Sequence, residues 1–560
     1  MGIPGHLRSL SVPARVALLV ALFALGGGIE ARAEKRTVCT VTVNSADERE
    51  VFRQRLPEGE YEFVELVERG RADWLDSACR AGVRCDVLIV SGHYDGGNEF
   101  FSDQIEAREF LPVDEMERAS CSGSCSGLFS QLKEVYLFGC NTLNAGANKN
   151  ASAEIARSLV RSGHSRADAE RLAQVLGTRH AESSRDRMRQ VFKDVPVIYG
   201  FSSVAPLGPT AASLLQRHFQ AVGSANVGKG RTNAQLLGGF AGHSMVSTSG
   251  LTGGDPQAAH RQDVCQFSND RLATAQKLEF IHQLLKRDMA EVRMFLDRIE
   301  RFWAALPATE RQMPGVEQAL TRIASDRDAR SRFLEFARDA DQVSVRGRML
   351  DLGHALGWLT SEQRMDEMVR VVSDQLARDS TAADVDQVCA LNDDHELDEA
   401  LFRLPPQDVR ADRVSQAAIL ACLGNDQAHA TVLQALTSPR DEDREVAQVY
   451  LRHRPIGDAG ELRTVTTNVA RMSGADAKVK ALQSLATLRL ADRESLGVLA
   501  RLYPVAESPR VQTAIAGVLI RADYDAIDRP ELVQTLRNHR LKGGTGPDTI
   551  DALIRRLEAQ

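Results

Sequence analysis

Two short apolar segments of this chain each run into a side chain that can do chemistry. Asp86-Val87-Leu88-Ile89-Val90-Ser91-Gly92-His93 stops at an imidazole, and Glu134-Val135-Tyr136-Leu137-Phe138-Gly139-Cys140 stops at a thiol. Near neutral pH a free thiol is only a few per cent thiolate. A neighbouring imidazole that takes its proton makes it a strong nucleophile, and the same ring can later protonate a leaving amine. An oxyanion would be held by the backbone N–H of Cys140 and one beside His93, in the stretch Gly92–Tyr94, with Gly92 giving substrate a close approach.

The elements that must bring these residues together are legible as strands. Apolar runs of about five residues, rich in Val, Ile, Tyr and Phe and bounded by polar residues and Gly, read as buried strands of a parallel sheet. Thr37–Val43, Tyr61–Val67, Asp86–Ser91, Val135–Gly139 and Val195–Phe201 fit this description. Helical segments fall between or after them, over Ala46–Arg55, Trp74–Ala81, the charged stretch Ala151–Lys193, and Thr210–Val222. Strands alternating with helices predict a parallel sheet covered on both faces. Ligands in such sheets bind beyond the carboxyl ends of the strands, so two neighbouring strands are expected to deliver His93 and Cys140 to one rim.

At the two strand ends the sequence resembles a known group. Ile89-Val90-Ser91-Gly92-His93 and Phe138-Gly139-Cys140-Asn141-Thr142 resemble the histidine and cysteine segments of the caspase-like (clan CD) peptidases, the second segment most closely its CHAT-domain version. The resemblance spans about residues 36–222 and includes the strand order. It implies a caspase-like α/β sandwich, a dyad of His93 as general base and Cys140 as nucleophile, hydrolysis of peptide bonds, and no cofactor or metal. It also implies that the segment after the fifth strand, including Ser202 and Ser203, lines the substrate pocket. No charge there selects a basic or acidic side chain. The sequence departs from the group in placing Tyr94, not Gly, directly after the histidine, and Gly139 before the cysteine. An inactive caspase-like scaffold is therefore the alternative to a cysteine endopeptidase.

Residues 1–33 carry a basic n-region (Arg8, Arg15), an apolar stretch Val16–Leu25 and an Ala31-Arg32-Ala33 cleavage site, the pattern of a signal peptide. The stretch is too short to span a bilayer and no later segment is long and apolar enough. A periplasmic or secreted protein without an integral membrane segment is expected. Losing the signal removes three arginines and one glutamate and moves the formal charge from −7 to −9. With 69 Lys+Arg against 76 Asp+Glu and no concentrated basic run, nucleic acid is not the expected partner.

The chain has nine cysteines, an odd number. In an oxidising compartment this suggests disulfides plus one free thiol, and a nucleophilic Cys140 must be the reduced one. Local pairing joins Cys79 to Cys85, Cys121 to Cys125 and Cys389 to Cys422, which leaves Cys39 with Cys265. Reduced buried cysteines, or a zinc site built from Cys79, Cys85, Cys121 and Cys125, are the alternatives, though the C-x5-C and C-x3-C spacings depart from the usual finger.

The expected organisation is a signal peptide over 1–33, an α/β domain over 34–223, a Gly-rich linker or loop over 224–263, and an all-α domain over 264–560. In that last region Arg413-Val414, Glu445-Val446, Lys478-Val479 and Arg510-Val511 each open an Ala/Leu-rich helix, at spacings of 32, 33 and 32 residues. Equal spacing of helix pairs marks an α-solenoid whose units stack into one core. Residues 405–560 resemble HEAT-like repeats most clearly, which implies a protein partner on the repeats beside a protein or peptide substrate at the dyad.

Overall fold

The computed structural model describes residues 35–66, 75–94, 99–102, 110–125, 127–146, 156, 159–160, 165–179, 183–340, 342–404, 412–486, 488, 490–541 and 548–559. The expected signal peptide lies outside them. The chain divides into two compact units, residues 1–150 with 174–273, and residues 151–173 with 274–560.

The first unit is built on a six-stranded sheet. Its strands are β1 (Arg36–Thr42), β2 (Tyr61–Glu65), β3 (Val87–Ser91), β7 (Glu134–Phe138), β8 (Val197–Phe201) and β9 (Met245–Thr248), in the order β2-β1-β3-β7-β8-β9. All neighbours are parallel except β9, which pairs antiparallel with β8. Every residue of β3, β7 and β8 is buried, which is why their sequences are continuous apolar runs instead of alternating ones. Three short strands, β4 (His93–Tyr94), β5 (Glu99–Phe101) and β6 (Phe110–Pro112), form a separate antiparallel sheet that starts where β3 ends.

Alternation along the strands sorts two cores. Leu88, Val90 and Tyr94 face one side with Val135 and Leu137, packed under Met116 and Ala119 of helix Val113–Cys121 and Met188 and Val191 of helix Ser184–Val191. Val87, Ile89, Tyr136 and Phe138 face the other, covered by Val51 and Phe52 of helix Asp47–Arg55 and by Ala211, Leu215 and Phe219 of helix Gly208–Val222. The result is the mostly parallel, two-face-covered sheet that the strand–helix alternation predicts.

The segment 224–263 is not a linker. It contains helix Ala234–Gly239, the sheet-edge strand β9 and most of helix Ala258–Ser268. The physical reason is that its glycines sit at turns and close approaches while the short apolar stretch Met245-Val246 pairs with β8. Gly228 and Gly230 take positive φ, and a Cβ on Gly250 would fall 1.8 Å from the Phe192 carbonyl oxygen. A disulfide from Cys121 to Cys265 and hydrogen bonds from Arg261 to Ser120 and to the Gln190 carbonyl fasten helix Ala258–Ser268 to the same unit.

The disulfides correct most of the local pairing. Cys39 joins Cys85, Cys79 joins Cys125, Cys121 joins Cys265, and Cys389 joins Cys422; Cys140 is free. Only the Cys389–Cys422 pair and the free Cys140 match expectation. Sequence proximity misled because partners are chosen across elements: Cys39 on β1 lies beside the entry to β3, its hydrogen-bonded neighbour. With Cys79, Cys85, Cys121 and Cys125 all oxidised, the zinc alternative is excluded.

The second unit is helical throughout its described residues after Thr274. Toward its end the helices come in pairs: Val414–Cys422 with Asp426–Ala435, Asp441–His453 with Ala459–Arg471, Ala475–Leu485 with Arg493–Val505, and Pro509–Leu519 with Arg529–Asn538. The first helix of each pair packs on the first helix of the next, so one apolar face is covered by its successor. Asn425, Asp458, Asp492 and Asp528 each cap the second helix by accepting a backbone N–H, a repeated start signal.

Candidate active site

Register sets the ends of the two strands that precede His93 and Cys140 side by side. On β3 and β7 Ser91 stands opposite Phe138, and the Gly92 N–H donates to the Phe138 carbonyl at 3.1 Å, so the ladder continues one residue past both strands. One residue further on, His93 opens β4 of the antiparallel sheet and Cys140 enters the turn after β7. Both are half-buried. The alternation that turns Val90 and Tyr94 into one core puts Ser91 and His93 on the opposite side, where Phe138 also lies.

Gly139 is required by the close approach of the two strand ends. A Cβ there would fall 2.9 Å from the Gly92 carbonyl oxygen and 3.0 Å from Tyr94 Cβ. The missing side chain lets the cysteine segment lie against the histidine segment.

The turn that carries the thiol is locked beneath it. Asn141 adopts a left-handed φ of 60°, which Asn tolerates better than most residues. The fully buried Thr142 donates from Oγ1 to the Gly139 carbonyl at 3.1 Å and accepts from the Phe201 N–H at 3.1 Å, tying the ends of β7 and β8. Gly200 makes room for that hydroxyl, since a Cβ there would meet it at 2.6 Å. Asn144 Nδ2 donates to Asn141 Oδ1, and the Asn144 carbonyl accepts from Arg185 N at the start of the helix Ser184–Val191.

The segment after β8 borders the thiol. Asn141 N donates to the Ser203 carbonyl at 2.7 Å, and the Ala205 N–H points at Cys140 Sγ, 3.3 Å away. Val204 and Leu207 flank Ala205 and are 68% and 70% exposed, so the rim beside the sulfur is apolar. Ser203 is exposed here, whereas Ser202 is bound through both its N–H and its hydroxyl to the Ser244 carbonyl.

The Gly92 amide and the Tyr94 side chain are both engaged within the protein. The Gly92 amide is committed to Phe138, which removes it as a donor to substrate. The space its absent Cβ leaves is bounded by Val43 Cβ at 3.2 Å and Phe100 Cβ at 3.5 Å, so the glycine admits protein packing. Tyr94 is 5% exposed and stacks on Phe100 with centroids 4.8 Å apart, pointing away from the rim into the core. The His93 ring rests against Phe101 at 5.5 Å.

One residue the sequence reading passed over stands behind this rim. Glu48, in the first turn of helix Asp47–Arg55, is 3% exposed, and its Oε2 is buried with no hydrogen-bond partner. Burial pushes its carboxyl up to about 7, against weaker opposition from its own backbone N–H and the adjacent Ser91 hydroxyl. A signal was available: Glu48 precedes Val51 by three residues and Phe52 by four, which places it on the inward face.

Among the described residues no group of three or more His, Cys, Asp or Glu side chains is arranged to hold a metal ion, and no helix is long and apolar enough to cross a membrane. No family model matches the chain, and no curated protein matches it. Among solved structures, human deoxyhypusine hydroxylase in complex with glycerol is 18% identical. The match covers 51% of this chain and 96% of that one, with a TM-score of 0.17. At that score the likeness carries no argument.

Proposed function

We propose that the chain is an exported cysteine endopeptidase in which His93 and Cys140 form the dyad of a caspase-like α/β unit and a HEAT-like helical array binds protein. The observation that carries this reading is the β3–β7 register: the two strands end side by side, one running into His93 and the other into Cys140, the one cysteine outside a disulfide. The reaction class follows from the residues. Cys140 Sγ attacks the peptide carbonyl carbon, His93 takes the thiol proton and delivers it to the departing amine, and water hydrolyses the resulting thioester. Export is supported by the four disulfides, which belong to an oxidising compartment.

The second reading, a caspase-like scaffold that has lost activity, is favoured by one observation: the Gly92 amide is spent inside the protein. A peptide-library cleavage assay on wild type and Cys140→Ala separates the two. Cleavage that disappears in Cys140→Ala, and falls about 10²-fold or more in His93→Ala, is expected. Cleavage unchanged by Cys140→Ala, or absent from wild type, overturns the enzyme reading.

A further inference from the structure

We infer that Glu48 is a positioning residue of this rim: its buried carboxyl bears on Ser91, the last residue of β3, and through it sets how the His93 segment meets Cys140. The inference rests on the dyad reading.

Three observations carry it. First, Glu48 lies on the side of the sheet to which Ser91 and His93 both turn, since helix Asp47–Arg55 covers the core containing Val87 and Ile89. Second, the carboxyl is incompletely satisfied in a place where water does not reach, as Oε2 has no partner and the residue is 3% exposed. A buried acid of this kind is costly to keep for packing alone, because an apolar residue would fill the space without the desolvation cost. Third, Ser91 is itself a junction. Its carbonyl accepts from Val43 N at 2.9 Å and from Asn44 N at 3.4 Å, so a shift at Ser91 moves the end of β1 and the start of the histidine segment together.

Asp47 on the same helix opposes ionisation; of the other ionisable residues on that helix, Arg49 pairs with Glu50 and Glu65, Arg53 lies over the Phe63 ring and Arg55 is exposed. The sheet presents Ser91. Helix Gly208–Val222, packed alongside, carries only Arg217 and His218 as ionisable residues, and His218 is engaged with Asn233. When Glu48 loses its proton, a negative charge arises behind Ser91, at the strand end that leads into the histidine segment. The alkylation rate of Cys140 should then respond to pH in a way that a dyad alone does not.

Cys140 is the one free thiol, so its alkylation by iodoacetamide, followed by intact mass on the full chain without reductant, reads the site with no substrate needed. The rate is measured from pH 5.5 to 8.5 for wild type, Glu48→Gln, Glu48→Asp, Ser91→Ala and His93→Ala. The ratio of wild-type to Glu48→Gln rates is expected to change at least threefold across the range. Glu48→Asp should retain the dependence and Ser91→Ala should weaken it. A flat ratio, with His93→Ala still slowing the reaction, overturns the role of Glu48 and leaves the dyad standing. A wild-type rate no faster than that of a simple thiol, and unmoved by His93→Ala, brings down both. If Glu48→Gln fails to fold, by near-ultraviolet circular dichroism, Ser91→Ala carries the comparison: a profile identical to wild type overturns the inference.

Discussion

The two ends of the same parallel sheet hold buried carboxyls in opposite circumstances. At the amino end Glu134 opens β7 at 1% exposure, and it accepts from the Tyr136 hydroxyl at 2.7 Å and from the Lys229 and Gly230 amides at 3.1 and 3.0 Å. Its neighbours are equally settled: Arg36 donates to the Tyr61 hydroxyl, which in turn donates to the Val227 carbonyl. At the carboxyl end Glu48 is almost as buried, yet one of its oxygens has no partner and its proton is held to about 7. The difference shows that burial alone does not mark a working acid. A charge surrounded by donors ties chain segments together, whereas a charge denied them is left close to its titration point.

Three changes would break or sharpen that contrast. The largest effect is expected from Glu134→Ala, which removes the acceptor of the buried Tyr136 hydroxyl and of the part-buried Lys229 and Gly230 amides. At about 1–3 kcal/mol for each group left unsatisfied, a loss of roughly 3 kcal/mol or more is expected in a denaturant titration. A loss below about 1 kcal/mol would remove Glu134 as an anchor.

Next comes the pH dependence of stability. The native state holds the Glu48 proton more tightly than the unfolded chain does, since its value of about 7 lies above the ordinary 4.5. The stabilisation from this group is therefore complete below about 4.5 and is lost as the pH rises through 7, about 3 kcal/mol in all. Glu48→Gln should flatten that part of the stability–pH curve between pH 5 and 8. Parallel curves for wild type and Glu48→Gln would contradict the difference between the two acids.

The smallest effect concerns the turn that holds the thiol. Thr142→Val keeps the shape and removes the hydroxyl that bridges Gly139 and Phe201, so a cost of about 1–2 kcal/mol and slower alkylation of Cys140 are expected. Gly59→Ala is the control, with nothing within 4 Å of the added carbon, and should stay within about 0.5 kcal/mol.

Much of this arrangement is legible in the sequence because parallel strands buried on both sides are uniform apolar runs. Val87–Ser91 and Glu134–Phe138 stand out for that reason, and their ends mark the rim. Helix pairing near the C-terminus is legible from the recurrence of Arg413-Val414 and its counterparts, each at or near a helix start. Other features are invisible to such reading. β4, β5 and β6 are two or three residues long, too short for any period, and β9 hides in a glycine-dense stretch. The disulfides depend on which strands become neighbours, so spacing cannot supply them. Gly92 illustrates the same limit at the site: a glycine before a reactive histidine suggests room for substrate, but here the room holds Val43 and Phe100.

The sulfur inventory has a practical corollary. Reducing buffers keep a free thiol such as Cys140 reduced, but in this molecule the same treatment threatens the bridge between Cys39 and Cys85 that links β1 to the approach of β3. Additives that rescue Cys140 therefore act against the framework that presents it. Purification under inert gas, with a metal chelator in place of dithiothreitol, is the handling regime that this cysteine pattern dictates.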